Sequence, residues 1–167
     1  MGIGETGYNI VKVLHILSAV IGFGGVLLNG VYAAQARKRP PAEGLAIIEA
    51  NVFVSNKISK IAIYLTFIFG FGVIGMSDGA WKISQTWLLI SIILFVISLL
   101  VSELLLSPRV KQLVELQREL VAAPAAAGGP PPQVAQMKAI GGQVGALSGF
   151  LHLAFLTILV LMVFQWT

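Results

Sequence analysis

No cysteine occurs in the 167 residues. Disulfides, thiolate metal sites and cysteine nucleophiles are therefore excluded. Charge is scarce as well: Asp, Glu, Lys and Arg make up 11 % of the chain, against 57 % hydrophobic residues. Soluble domains carry about 25 % charged residues, so an ordinary aqueous surface is excluded. Histidine occurs only twice. No nucleotide loop, HExxH, nucleophile elbow or paired-carboxylate arrangement is present. These absences point away from an enzyme. An all-protein transition-metal site would have to use carboxylates or methionines, and Met1, Met76, Met137 and Met162 form no cluster in sequence. The net charge of +4 sits next to helix ends, not in a patch for nucleic acid.

Long apolar runs dominate the chain, at residues 10–34, 58–76, 87–106 and 144–164. A hydrocarbon core is crossed by about 20 apolar residues of helix. Only helices and closed barrels satisfy the backbone there. These runs lack the two-residue alternation of barrel strands, so they read as helices. The expected fold is all-α: one integral membrane four-helix bundle, a single domain over residues 1–167. The first run is long and has no small-x-small cleavage site, so it reads as retained rather than as a signal peptide.

Charge sets the expected orientation. Arg37, Lys38, Arg39, Lys57 and Lys60 lie in or beside the first connection, and Arg109, Lys111, Arg118 and Lys138 in or beside the third. The second connection has Lys82, opposed by Asp78, and the first helix opens near Lys12. The positive-inside rule then puts the first and third connections in the cytoplasm and both termini outside. The expected setting is the inner (plasma) membrane, crossed several times. Tyr8, Trp81, Trp87 and Trp166 would form an aromatic belt at the outer interface.

Short amphipathic helices are expected in both cytoplasmic connections. One spans residues 43–59 and runs into the second membrane helix. The other comes after Pro108, with Val110, Leu113, Val114, Glu115, Arg118 and Val121, and lies at the membrane surface. Residues 122–133 are rich in Ala, Pro and Gly and read as a flexible linker.

The first helix carries Lys12, His15, Ser18, Gly22, Gly25 and Asn29 at steps of three and four, which is one helical face. Small residues let helices approach in lipid, and polar ones seek protein partners. The fourth helix has a similar row, Gly141, Gly145, Gly149 and His152, with Gly145 and Gly149 forming a GxxxG pair. Both rows are expected to face into the bundle. Glu103 and Asn29 fall near the cytoplasmic ends of their helices. They would bond one another, or Glu103 would reach the interface.

Ionisable side chains within a bilayer are functional candidates. His15 and His152 are the candidate cofactor ligands, each able to offer an imidazole nitrogen to haem iron. Counted from the helix ends, they differ in depth by about 8–10 Å. Separate roles are therefore favoured over a shared iron.

The first helix opens with Leu14-His15, then Ser18, then Gly24-Gly25. A second helix with Gly70, Gly72 and Gly75 comes next. Trp81 and Trp87-Leu88 lead into the third, and a basic stretch succeeds Pro108. Over residues 8–120 this order most resembles an uncharacterised "predicted integral membrane protein" family (domain of unknown function twenty-two sixty-nine). More loosely it is similar to the copper-resistance D domain and the HemJ-type protoporphyrinogen oxidases. The HemJ likeness implies haem b at the position of His15.

Three functions are expected, in descending order. The first is a non-enzymatic accessory or assembly subunit, packed in the bilayer against other membrane subunits or against itself. The alternative is a haem b-binding membrane protein in electron transfer or tetrapyrrole oxidation, with His15 on the iron. A metal or small-solute permease comes last, because four helices offer few polar pore residues.

Overall fold

A computed structural model of the chain describes residues 2–122 and 131–165. Those residues are helical apart from short turns. Four continuous helical stretches are long and apolar enough to cross a membrane. The first is α1 (Thr6–Ala36). The second joins α2 (Pro41–Val54) to α3 (Lys60–Gly75) through a π-helical turn at Ser55–Ser59. The third joins α4 (Thr86–Leu100) to α5 (Ser107–Ala122) through a second π-helical turn at Val101–Leu106. The fourth is α6 (Pro132–Phe164). At 31 residues, α1 is about 46 Å long, so its ends pass beyond a hydrocarbon core of about 30 Å.

Proline punctuates the chain where its missing N–H costs least. Pro41 and Pro132 each open a helix. Pro108 behaves differently. The expected stop before it and restart at the membrane surface do not occur. Instead α5 continues directly from α4. The Ser107 N–H bonds the Ser102 carbonyl, five residues back. That wider turn absorbs the hydrogen bond Pro108 cannot make. Once continued, α5 packs on α2 and α6 and buries Val114, Leu116 and Gln117. Gln117 donates to the Pro41 carbonyl at 3.1 Å, and Arg118 pairs with Glu49 at 2.8 Å. The basic connections thus form a helical layer of their own. Pro132 and Gln133, expected in the linker, already belong to α6. The linker residues 123–130 and Trp166 of the aromatic belt lie outside the described residues.

Inside the membrane region the bundle is two helix pairs. α1 packs along α3 and α4 along α6, while α1 and α6 touch over a short stretch. Glycine sets the first pair. A Cβ on Gly22 would lie 3.1 Å from the Ile63 backbone nitrogen and closer still to its side chain. One on Gly25 would overlap the Ser59 hydroxyl. Nothing larger than hydrogen fits, so the backbones approach closely. Aromatic rings join the two pairs. Phe23 stacks on Phe155 with centroids 4.4 Å apart, and Phe67 on Phe95 at 5.1 Å. Around them Ile63, Leu151 and Ile158 complete the core. The outward faces, with Val13, Val20, Leu153 and Val163, stay exposed, as side chains that meet lipid should.

The glycine row of α6 behaves unlike that of α1. Gly141, Gly145 and Gly149 have nothing within 4 Å of an added Cβ. Leu151, Phe155 and Ile158 take the inner face instead. Leu151 is two residues from Gly149, about 200° round the helix. Bulk and ring stacking choose the buried face of α6, and its glycines look away from the other helices.

Gly22→Leu and Gly25→Leu should each destabilise the bundle by about 1–3 kcal/mol through overpacking. Gly145→Leu should leave it unchanged. Thermal unfolding of the three variants in one detergent checks the contrast. Equal melting points for Gly25→Leu and wild type would contradict the close approach.

Candidate functional site

Each histidine bonds a backbone carbonyl on a neighbouring helix. His15 Nδ1 lies 2.8 Å from the Thr66 oxygen, and His152 Nε2 lies 3.1 Å from the Val26 oxygen. A carbonyl only accepts, so the ring nitrogen facing it carries the proton. In the neutral rings, the lone pair then sits on Nε2 of His15 and on Nδ1 of His152. Gly70 makes room for the first ring: an added Cβ would stand 3.2 Å from His15 Cε1.

The two histidines do not share a site. Val26 lies eleven residues beyond His15 on α1, about 16 Å along the axis. That exceeds the 8–10 Å estimated from helix ends. His15 lines a cavity and His152 does not.

The cavity has a volume of about 590 Å³ and lies toward the end of the bundle that carries Tyr8, Trp81 and Trp87. It lies between the two helix pairs, beside the phenylalanine stacks that join them. Tyr8, Lys12, His15, Ala19 and Phe23 line one wall, at steps of four, three, four and four along α1. Trp87, Ser91 and Phe95 of α4 face them, with Ile158 and Met162 of α6. The walls are overwhelmingly apolar. Trp81 crosses the top, donating from Nε1 to the Tyr8 hydroxyl at 2.9 Å and meeting Trp87 edge to face.

Met162 comes to the level of His15. From the Phe23–Phe155 stack, His15 is eight residues along α1 and Met162 seven along α6. The rises are about 12 Å and 10.5 Å in the same direction. Seven residues return Met162 to within about 20° of the inward face of Phe155. Sequence reading passes over Met162 because no second methionine lies near it. Its spacing from Phe155 is the available signal.

The remaining polar candidates lie toward the basic end. Asn29 accepts from the Ser55 hydroxyl at 2.9 Å. Glu103 pairs with Lys60 at 2.6 Å, not with Asn29. A carboxylate gains more from an ammonium than from a neutral amide. Ser55 opens the first π-helical turn, Lys60 follows it, and Glu103 lies in the second. Among the described residues no group of three His, Cys, Asp or Glu side chains could hold a metal ion.

The family model described as "Predicted integral membrane protein (DUF2269)" matches residues 9–165. The chain belongs to that family. The match runs through all four membrane helices of this DUF2269 chain, past the 8–120 stretch that carried the likeness. It makes the protein an integral membrane protein. No curated protein matches the chain, and no solved structure does.

The hydrogen bonds require different tautomers of the two neutral rings: Nδ1–H for His15 and Nε2–H for His152. Nitrogen-15 NMR of histidine-labelled protein in bilayers reads this directly. An unprotonated Nδ1 signal for His15 would show that the Thr66 contact has been misassigned.

Proposed function

We propose that this protein binds haem b in the cavity, with His15 as the iron ligand. The observation that carries the reading is the His15 ring itself. Its Nδ1–H is tied to the Thr66 carbonyl, and its Nε2 lone pair is left for a metal at the wall of an apolar cavity. Ring nitrogens that ligate metals characteristically have their other N–H held in this way. The residues fit the group in further respects. The volume falls within the roughly 300–1,000 Å³ of small-molecule sites. Phe23, Phe67 and Phe95 offer flat apolar surface, and Met162 would offer a thioether to the iron. The likeness of the first helix to the HemJ type points the same way.

When bound, haem b supplies one-electron chemistry. The chain's own residues orient and enclose it. Thr66 sets the His15 ring, Gly70 leaves it space, and the phenylalanine stacks close the floor of the cavity. We place both termini outside and the basic layer in the cytoplasm of the inner (plasma) membrane, on the distribution of Lys and Arg. The cavity then belongs to the outer half of the bilayer.

A second reading, an accessory or assembly subunit, is supported by the α6 glycines. Gly141, Gly142, Gly145 and Gly149 present an open row without neighbours. A partner helix could approach there.

Haem content decides between the readings. Protein expressed with ample haem should show a b-type reduced-minus-oxidised spectrum. His15→Ala should lose it and His152→Ala should keep it. A featureless wild-type spectrum would leave the accessory reading as the better one. Loss in His152→Ala alone would keep the cofactor and reject the ligand.

The orientation has its own check. A cysteine at Gly4 should react with a membrane-impermeant thiol reagent in intact cells, and one at Gly128 should not. The reverse pattern would invert the topology.

A further inference from the structure

The cavity has an edge that meets lipid. Lys12, Ile16, Val20 and Gly24 line it at steps of four, one inclined row along α1. Leu159 and Val163 line it from α6. Ile16, Val20, Leu159 and Val163 are also exposed side chains, Val20 by 65 % and Val163 by 68 %. A residue that lines a cavity and is that exposed stands at an opening. The opening therefore lies between α1 and α6. Gly24 leaves it unobstructed, since an added Cβ there meets nothing within 4 Å. Past Gly24, toward the basic end, the His152–Val26 hydrogen bond holds α1 to α6.

We propose that this opening admits one acyl chain of a glycerophospholipid from the surrounding leaflet, whose phosphate stays outside at Lys12. The row of α1 has the right length. Lys12 and Gly24 are twelve residues apart, about 18 Å along the axis. One leaflet of a hydrocarbon core of about 30 Å is about 15 Å deep. The row thus runs from headgroup level to mid-bilayer, the course of an acyl chain. Charge agrees at its outer end. Lys12 is exposed and ion-pairs with no carboxylate among the described residues. A lysine near a helix end reaches for the interface, where a phosphate can accept from its ammonium. The apolar walls suit the chain, and an unfilled apolar space would forfeit their dispersion contacts. The site does not rest on the iron-ligand reading of His15. It describes the cavity before haem enters, and haem would displace the chain.

The test maps where lipid chains reach. The haem-free full chain in nanodiscs is illuminated with phosphatidylcholine carrying a diazirine on one acyl chain, and adducts are located by peptide mass spectrometry. Wild type should carry adducts on Phe67 of α3 and Ile92 of α4, the cavity walls across from the opening, as well as on the lipid-facing Val13 and Leu153. Gly24→Trp fills the opening. It should cut the far-wall adducts about tenfold, equivalent to about 1.4 kcal/mol against entry. Adducts on Val13 and Leu153 should persist. Diacylglycerol with the same labelled chain should mark the far walls severalfold less than phosphatidylcholine. Lys12→Gln should abolish that difference. Far-wall adducts that haemin suppresses would support both the chain site and the haem reading. Far-wall adducts in a protein with no haem spectrum would keep the chain site and remove haem. Far-wall adducts unchanged in a folded Gly24→Trp would overturn the opening, and equal marking by diacylglycerol would overturn the phosphate contact. Their absence from wild type would overturn the site whether or not a variant folds.

Discussion

A polar group inside hydrocarbon has no water to turn to, and the polar side chains of this bundle are placed accordingly. Thr66, Ser91, Ser98 and Thr157 each return a hydroxyl hydrogen to the carbonyl four residues earlier on their own helix. The two histidines cross to carbonyls on other helices. Lys60 finds Glu103, and Ser55 finds Asn29. Against that background the unpartnered buried atoms stand out: the Ser59 hydroxyl and the Trp87 indole nitrogen. Ser59 is pressed against Gly25, where close backbone approach leaves no room for a partner. Trp87 lines the cavity with other atoms, but its indole nitrogen is covered as fully as the Ser59 hydroxyl.

The spans were legible because a bilayer imposes its thickness on any chain that crosses it. The inward row of α1 was legible for a related reason. Lys12, His15, Gly22, Gly25 and Asn29 all give the same answer, small or polar, at one helical phase. On α6 the signals disagreed. Gly145 and Gly149 pointed to one side and Leu151 and Phe155 to another, and small residues alone could not say which face would pack. The partner of Glu103 was hidden too. Lys60 reads as a helix-end residue that serves topology, whereas the π-helical turns bring it beside Glu103.

The cavity could not be read from any one segment. It lies between two helix pairs, and its lining comes from four helices and a loop. Tyr8, Trp81 and Trp87 were visible as interface aromatics. Their bonding state was not, because it depends on which ring each N–H or O–H meets across 73 residues of sequence, as Trp81 meets Tyr8. Met162 likewise acquires meaning only once Phe155 is known to stack on Phe23.

The two π-helical turns have a further consequence. A five-residue hydrogen bond holds one residue more than an α-helical one, so each turn acts as a single-residue insertion within a continuous helix. Each rotates the downstream half of its helix by about 100° relative to the upstream half. The membrane half and the basic half of each long helix therefore obey different helical phases, and no single wheel describes both. Removing one residue from either turn would restore α-helical spacing with both halves on their present faces, whereas tightening the turn to α-helical spacing at its present length would swing Arg118 away from Glu49, or Pro41 away from Gln117. The phase offset between the halves makes the basic layer a separately adjustable module on a fixed membrane anchor.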